Sequence, residues 1–526
     1  MTTSQFDITT AIQFDPLVRD FLLEDPKLNA FVRDFPSLDA FNKIRNERTL
    51  NSEARSVLSE AIIRQYSNEN IAQKTKANIT ALKDQNVFTV TTGHQLCLFT
   101  GPLYFIYKIA STISLSKRLR EEFPDSMFVP VYWMASEDHD FDEINHAFFN
   151  SKKITWDRNA SGAVGNLDTS GIASLIDEIM ADLPKDKNHD ALKSLLLESY
   201  NKSNLAEATR HLVNALFGEE GLVIVDGNDH ALKSLFVREM EMELIDSQSF
   251  SSVTDSSKVL SNLGYTLQVK PREINLFYLT KTTRGRIVRE QEDLWKDIVS
   301  EKVWDKAEII AELQNHPENF SPNVIMRPVY QETILPNLAY VGGPGEIAYW
   351  LQLKSTFNNY NISFPLLLVR DSAIVLGNRA QQRMAKLNLD LQDVFLSRKE
   401  MINKVIPVDE VSIEQEKQKL AEIFDSVGAR AGAIDPTLAI AVQAESKRQL
   451  SSLDHIQQKM QKAIRQREEV NIRQIDQLLS EVYPDGVFQE RRENYFGMLA
   501  FGAELNVKLM IDEFNPLNKK VTIFCQ

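Results

Sequence analysis

Apolar residues along this chain follow two regimes. Over the first 85 residues they recur at helical spacing, and Leu50–Leu82 is one long stretch with a polar face and no internal proline or glycine, which predicts mostly helix. From residue 87 onward the apolar residues gather into short, dense runs. Val87–Thr91 (VFTVT) is rich in β-branched residues and stops before Gly93. Leu103–Leu119 follows it, with Ile106, Ile109 and Ile113 on one helical face. Phe128–Ala135 (FVPVYWMA), Leu222–Val225 (LVIV) and Leu366–Val369 (LLLV) are further runs of this kind, and Tyr340 and Val341 close another. Runs apolar on both faces suit the strands of a parallel sheet covered by helices on each side. Pro130 has no N–H for a ladder, so that strand is expected to begin at Val131. Strands alternating with helices predict an α/β protein with a doubly wound parallel core. Ile274–Thr280, Lys281–Gly285 and Arg286–Glu290 read as strand, turn and strand, a hairpin inserted between the halves of that core.

From Ala380 to Leu479 the chain turns helical and highly charged. Leu453, Ile456, Met460 and Ala463 keep three-to-four spacing. Gly428, Gly432 and Pro436 separate this stretch from an earlier one containing Ile413, Leu420 and Val427. Two long helices joined by a Gly/Pro turn predict an antiparallel hairpin. Its polar arms favour a protruding coiled coil over an amphipathic pair packed on the core. The expected organisation is a helical segment packed on the core (1–85), the core itself (86–379, with the inserted hairpin region at about 230–320), a helical arm (380–482) and a segment returning to the core (483–526).

Composition narrows the function. With 526 residues, 43% of them hydrophobic, the chain can bury a sizeable core and is too long for one ordinary domain. Fifty-nine basic against 73 acidic residues give a net charge of −14, which offers no general attraction for nucleic acid or an anionic membrane. Cys97 and Cys525 are too few and too far apart for a disulfide framework, which points to a reducing compartment, the cytoplasm by default. Asp7, Asp15 and Asp20 near the start do not suit a secretory signal, and no run of about 18 uncharged apolar residues suggests a membrane span.

Three polar stretches carry candidate chemistry. Thr91–Lys108 (TTGHQLCLFTGPLYFIYK) begins where a strand ends, the edge at which doubly wound sheets bind ligands. Gly93 and Gly101 allow close backbone approach, His94 and Gln95 could hydrogen-bond a phosphate, carboxylate or leaving group, and Tyr104 and Lys108 share a helix face. The alternative is a tight turn with a satisfied histidine and a snorkelling lysine. Cys97 invites a nucleophile assignment, against the plainer one of a small buried residue. Glu137–Glu143 (EDHDFDE) directly follows a buried strand. Glu137, Asp138, His139 and Asp140 could hold a substrate amine, ribose hydroxyls or Mg²⁺, or act as a base, or they could form a solvated helix start. No HExxH or CxxC spacing occurs, so no dedicated metal site is expected. The third stretch, Phe320–Lys354, embeds Arg327, Gln331 and Glu332 among apolar residues, a setting in which arginine pairs with carboxylate or phosphate. It then presents Gly342, Gly343 and Gly345 before Glu346, a loop able to bring bare N–H groups to an anion or adenosine, or else a helix entry that needs positive φ. Lys270, Arg272, Lys281, Arg284, Arg286 and Arg289 form a local basic cluster, either an anionic-substrate receptor or an exposed charged hairpin.

Taken in order, TGHQLCLFTGPLYFIYK, VPVYWMASEDHDFDEIN, INLFY with RGRI, and SPNVIMRPVYQETILPNLAYVGGPGEIAYW resemble the bacillithiol biosynthesis cysteine-adding family, the BshC family, over roughly residues 1–526 and most strongly between 88 and 350. The resemblance implies a Rossmann-like core with connecting insertions, akin to class I aminoacyl-tRNA synthetases and related nucleotidyl transferases, together with an α-helical coiled-coil domain and a homodimer. It implies addition of L-cysteine to glucosaminyl-malate; ATP is the expected activator, and Mg²⁺, which the acidic run could hold, is a second candidate cofactor. By that likeness His94, Gln95 and Gly93 form the nucleotide-handling turn, while Glu137–Asp140 and Gly342–Glu346 complete the crevice. Tyr104, Lys108, Arg327, Gln331 and Glu332 are the expected substrate contacts. Family members often carry glutamine at the position of His94, which weighs against an obligatory base there. An amide does not form from a free carboxylate without activation, so the implied route runs through cysteinyl-adenylate, attacked by the sugar amine. The rivals are a nucleotidyl or aminoacyl transferase using a different or pre-activated substrate, and a non-enzymatic nucleotide-binding coiled-coil scaffold.

Overall fold

The computed structural model describes residues 1–185, 188–406, 412–500 and 505–526; residues 186–187, 407–411 and 501–504, within the expected core, arm and C-terminal segment, lie outside the described residues. The chain forms two compact units, one of Met1–Val375 with Val487–Phe524, the other essentially Leu376–Gly486. In chain order the strands are β1 (Thr2–Asp7), β2 (Val87–His94), β3 (Met127–Met134), β4 (His146–Phe149), β5 (Lys152–Thr155), β6 (Val223–Asp226), β7 (Leu276–Leu279), β8 (Arg284–Gln291), β9 (Leu294–Asp297), β10 (Val303–Asp305), β11 (Phe320–Pro322), β12 (Asn337–Gly342), β13 (Leu366–Val369), β14 (Ser372–Leu376) and β15 (Lys520–Cys525).

The dense apolar runs form the central sheet, ordered β13-β12-β2-β3-β6 and parallel throughout. Its strands are buried along nearly their whole length, which is why they read as continuous rather than alternating apolar sequence. Phe88, Val90, Phe128, Val341 and Leu368 pack with Phe41, Ile44, Leu115 and Leu119 from the covering helices. The chain lays β2, β3 and β6 outward in one direction, then returns to lay β12 and β13 on the other flank of β2. The switch point therefore falls between β2 and β12, and a crevice opens above their carboxyl ends. This is the Rossmann-like doubly wound arrangement.

Several boundaries differ from the expectations. β2 runs through Gly93 to His94. β3 begins at Met127 and includes Pro130, because the β6 ladder starts only at Val131 and one flank of Pro130 has no strand beside it. β6 is Val223–Asp226, shifted by one residue. The stretch Leu50–Leu82 is two helices, Ser52–Gln65 and Gln73–Ala81. The short polar residues Ser67, Asn68 and Asn70 lie in the break, where they compete for backbone groups. The fold-back lets buried Arg55 donate to the carbonyls of Leu82 and Val87. A strand, β1, precedes the helices of the first 85 residues and pairs with β15.

Between β6 and β12 the inserted hairpin is part of a larger antiparallel sheet, β10-β9-β8-β7-β11. The turn is shorter than Lys281–Gly285, since β8 already begins at Arg284. Gly285 is a strand residue there, and the position takes glycine because a Cβ would sit 1.7 Å from Oδ1 of Asp297. That carboxylate in turn accepts the N–H groups of Val299 and Ser300 at 3.2 and 3.0 Å.

The second unit holds an antiparallel hairpin of Glu414–Ile434 and Pro436–Arg467, with Lys417 pairing Asp454 at 2.6 Å across it. Gly428 and Gly432 lie inside the first helix rather than at the turn. There a Cβ would stand 3.7 Å from Val442 and 3.3 Å from Ala439, so the glycines permit a close helix approach. The turn is Asp435, whose side chain caps the helix begun by Pro436. Among the described residues no helix is long and apolar enough to cross a membrane.

The Gly285→Ala substitution should force Asp297 to move and lower unfolding free energy by about 1–3 kcal/mol, as overpacking does. Urea titration followed by circular dichroism measures this, and an unchanged midpoint would remove the close-approach argument.

Candidate active site

The end of β2 fixes the first part of the site. Gly93 is small because the Tyr340 hydroxyl and the Arg327 guanidinium crowd it: a Cβ would meet them at 3.1 and 3.6 Å. From the helix Leu103–Glu122, buried Lys108 donates to the Gly93 carbonyl and to Glu346 Oε2, the latter at 2.6 Å. Burial pushes the Lys108 ammonium below its ordinary pKa, with Glu346 opposing that shift. His94 packs against Tyr104 and Phe105, with ring centroids 5.4 and 5.0 Å away. Burial, reinforced by the Lys108 charge, brings its pKa down to about 3, so the imidazole is neutral at physiological pH. A group whose pKa lies so far below 7 is a hydrogen-bonding partner rather than an efficient general base. Cys97 lies with its Sγ 3.7 Å from His94 Nε2, but burial pushes its thiol up to about 12, and the protonated thiol is a poor nucleophile.

The loop after β12 approaches from the other side of the switch point. Gly342, Gly343 and Gly345 all lie outside the positive-φ region, so the helix entry does not demand glycine for its backbone angles. Glu346 instead organises this loop, accepting from Tyr340 Oη at 2.6 Å, from the Gly343 N–H at 2.8 Å and from Lys108. Burial opposes its ionisation, but Lys108 and these donors outweigh it and hold its pKa below the ordinary value. A Cβ on Gly345 would point into open space.

Arg327 sits at the start of the helix Met326–Ile334 and lines the same crevice. It forms no ion pair among the described residues, and donates to Gln331 Oε1 at 3.0 Å and to Tyr349 Oη at 3.3 Å. Gln331 and Glu332 do not reach the crevice. Gln331 Nε2 donates to Glu332 Oε1 at 2.8 Å, Asn337 Nδ2 donates to the same oxygen at 2.7 Å, and Thr89 and Thr91 donate to Asn337 Oδ1. The expected substrate contacts at 331 and 332 are thus an interior chain behind Arg327. They were misplaced because polar residues on an apolar helix read alike whether they face a cavity or a buried network.

The acidic run divides. Glu137 pairs with Lys233, whose side chain is fully buried. Asp138 accepts from Gln95 Nε2 at 2.7 Å, and Gln95 also reaches Glu143 at 2.7 Å. Burial would raise Asp138, yet the bonds from His139 and Gln95 and the Arg284 charge carry it well below the ordinary carboxylate range. His139 and Asp140 are exposed and lie outside the crevice lining. His139 Nδ1 accepts from Arg284 Nη1 at 2.9 Å, so it braces a lining arginine from behind. Among the described residues no group of three or more His, Cys, Asp or Glu side chains could hold a metal ion.

These parts enclose one cavity of about 830 Å³, lined by Gly93, His94, Gln95, Tyr104, Lys108, Glu137, Asp138, Arg327, Gly343, Gly345 and Glu346 among the predicted residues, while Gly342 is buried and does not line it. The insertion supplies Lys270, Arg272, Arg284 and Arg286 to the lining; Lys281 and Arg289 fall outside it. Arg370, Tyr349 and Arg491 also line the cavity and were not among the predicted site residues. Arg370 was legible as the polar residue closing the LLLV run. Arg491, distant in sequence, carries no motif. Arg284 rests on the Phe277 ring at 4.0 Å, and Arg370, bound to Glu490, lies over Tyr104 at 5.5 Å. Eight basic side chains face three acidic ones in this lining.

Comparison with known proteins identifies the two domains of the chain. Residues 1–371 match the family described as "Bacillithiol biosynthesis BshC, N-terminal Rossmann-like domain", and residues 373–525 match "Bacillithiol biosynthesis BshC, C-terminal coiled-coil domain". A protein of Christiangramia forsetii is 40% identical over 521 residues, covering 97% of this chain and 96% of its own. One from Flavobacterium johnsoniae is 39% identical over 530 residues, covering 99% of both. One from Chlorobaculum tepidum is 30% identical over 475 residues, covering 85% and 84%. All three bear the name "Putative cysteine ligase BshC".

Burial raises Glu332 to about 7, against the opposing pull of Arg48 and the bonds from Gln331 and Asn337. A carboxyl raised above its unfolded value stabilises the fold fully below about pH 4.5, and that contribution fades as pH rises through about 7. Glu332→Gln should therefore gain stability relative to the parent between pH 5 and pH 8, by about 3 kcal/mol on the order-of-magnitude scale of 1.4 kcal/mol per pKa unit. Chemical denaturation of both proteins across that range checks it, and parallel pH curves would refute the raised carboxyl.

Proposed function

We propose, because the chain belongs to the BshC family of bacillithiol biosynthesis, that it is a cytoplasmic ligase joining L-cysteine to glucosaminyl-malate through an amide bond, with ATP as activating co-substrate. The observation that carries this reading is the charge of the cavity. Lys270, Arg272, Arg286 and Arg327 line it without an ion pair among the described residues, in a chain of net charge −14. Unpaired cations in a concave site are suited to anionic ligands, here the malate carboxylates, the cysteine carboxylate and phosphate.

ATP would supply the activation that a free carboxylate lacks. The residues suit such a co-substrate: the cavity opens at the switch point, Gly345 leaves space in the first turn of the helix Pro344–Trp350, and His94 is held neutral beside Lys108. Glu137 and Asp138 are engaged by Lys233 and Gln95, so Mg²⁺ would come with the phosphates rather than sit in a ready-made carboxylate cage. In this assignment Arg327 anchors a substrate carboxylate, held at its angle by Gln331 and Tyr349. Lys270, Arg272 and Arg286 receive the malate end. Asp138, kept ionised, faces an ammonium. Gln95 holds Asp138 in place. The work of these residues is orientation and charge complementarity. Ile423, Val427, Ile440, Ile456 and Met460 are exposed on the helices of the second unit, which supports a homodimer built there.

Purified protein given cysteine, glucosaminyl-malate and ATP should form bacillithiol, read by mass spectrometry after thiol labelling. Product without nucleotide would remove ATP from the reaction, and no product from folded protein with all three substrates would remove the ligase assignment. Arg327→Ala should raise KM by about tenfold to a hundredfold, the loss of a charge-assisted pair, with a smaller change in kcat. Steady-state kinetics with cysteine and glucosaminyl-malate varied separately identifies the carboxylate it binds, and an unchanged KM for both would contradict the anchoring role.

A further inference from the structure

The turn that follows His94 and Gln95 carries unusual backbone geometry. Phe99 has φ 52° and ψ 38°, Thr100 has φ 69° and Gly101 has φ 63°. Only the glycine is at ease there; a phenylalanine and a β-branched threonine in succession are not. Such conformations persist only where the surroundings over-determine them, and they cluster at functional sites.

The surroundings here are specific. Fully buried Asn494, almost four hundred residues away in sequence, donates from Nδ2 to the carbonyls of both Phe99 and Gly101 at 2.7 Å, spanning Thr100. Its Oδ1 accepts the Phe496 N–H at 2.9 Å, which fixes the amide orientation. Its own N–H donates to the Phe148 carbonyl at 2.9 Å, and the neighbouring Glu493 carbonyl accepts the Leu103 N–H at 2.8 Å. The Phe99 N–H is held by Tyr200 Oη at 2.7 Å. Leu103 opens the helix that carries Tyr104 and Lys108, and Lys108 reaches back to the Gly93 carbonyl on β2. Strand end, turn, helix start and lysine therefore form a closed circuit, so a shift in the turn displaces both cavity residues.

We infer that Asn494 is a positioning residue for the reaction: its side-chain amide clamps the left-handed run Phe99–Gly101 and so places Tyr104 and Lys108 in the cavity. This rests on reading the cavity as the ligation site. Asn494→Asp keeps the size and the acceptor for Phe496 but replaces the donor facing two carbonyls with an acceptor. It should lower kcat/KM for bacillithiol formation on the order of a hundredfold, as angström-scale misplacement does. Amides of 98–108 should exchange faster in that variant. Thr100→Gly, which accepts the left-handed angle freely, should be near the parent in activity. Placed on Asn494→Ala, it should recover about tenfold of the loss, a rescue that general destabilisation would not show. Parent-like kcat/KM in folded Asn494→Asp, or a loss that merely tracks the unfolded fraction with no rescue by Thr100→Gly, overturns the clamp. Absence of product with the parent protein would sink the ligation reading alone. The clamp is then decided by exchange, and unchanged protection of 98–108 in Asn494→Asp refutes it.

Discussion

An ion pair between buried Lys108 and partly buried Glu346 ties the two halves of the sheet together. Lys108 belongs to the helix after β2 and Glu346 to the helix after β12, and those strands flank the switch point. Removing Glu346 would leave the Lys108 ammonium buried without its counter-charge, which costs about 3–5 kcal/mol. The pair sets the electrostatics around it as well. Lys108 helps drive the proton from His94. It also neutralises Glu346, the acid nearest the glycine loop, so that Arg327 faces the cavity without a carboxylate partner among the described residues. A site for anions needs cations whose charge has not already been spent within the protein.

The insertions complete the cavity by a different means. The antiparallel sheet between β6 and β12 contributes Arg284 and Arg286 from β8, the former held over Phe277, and the segment leading into β7 contributes Lys270 and Arg272. The acidic run is restrained from both sides, by Lys233 on Glu137 and by Gln95 on Asp138. Each carboxylate therefore has a fixed place, and the two do not converge on one point as metal ligands would.

Much of the core was legible because strands buried on both faces cannot hide: VFTVT, FVPVYWMA, LVIV and LLLV became β2, β3, β6 and β13 within a few residues. The three polar stretches that follow such strands do meet in one cavity. Sequence was silent where long-range contact decides. Pro130 is tolerated because a neighbouring strand starts one residue later. Gly285 is required by a carboxylate twelve residues away. His139 and Asp140 belong to the acidic run yet point outward, since the chain leaves the strand in an irregular turn whose direction no periodicity encodes. Asn494 belongs to no recognisable motif, and its importance lies wholly in what it touches.

The interior chain behind Arg327 explains why Gln331 and Glu332 matter although neither faces the cavity. A carboxylate directly against Arg327 would orient it but would also cancel its charge. An amide placed between them separates the two effects. Gln331 offers its oxygen to the guanidinium and its N–H to Glu332, and the same carboxylate oxygen takes Asn337, which is anchored to β2 through Thr89 and Thr91. Each dipole points the next, so the arginine is aimed from the sheet itself while its charge stays available. The cost appears at the far end, where Glu332 Oε2 is buried without a hydrogen-bond partner among the described residues and the carboxyl is raised to about 7. The chain thus accepts a poorly solvated acid in the interior in exchange for an oriented, unneutralised cation at the surface of the cavity.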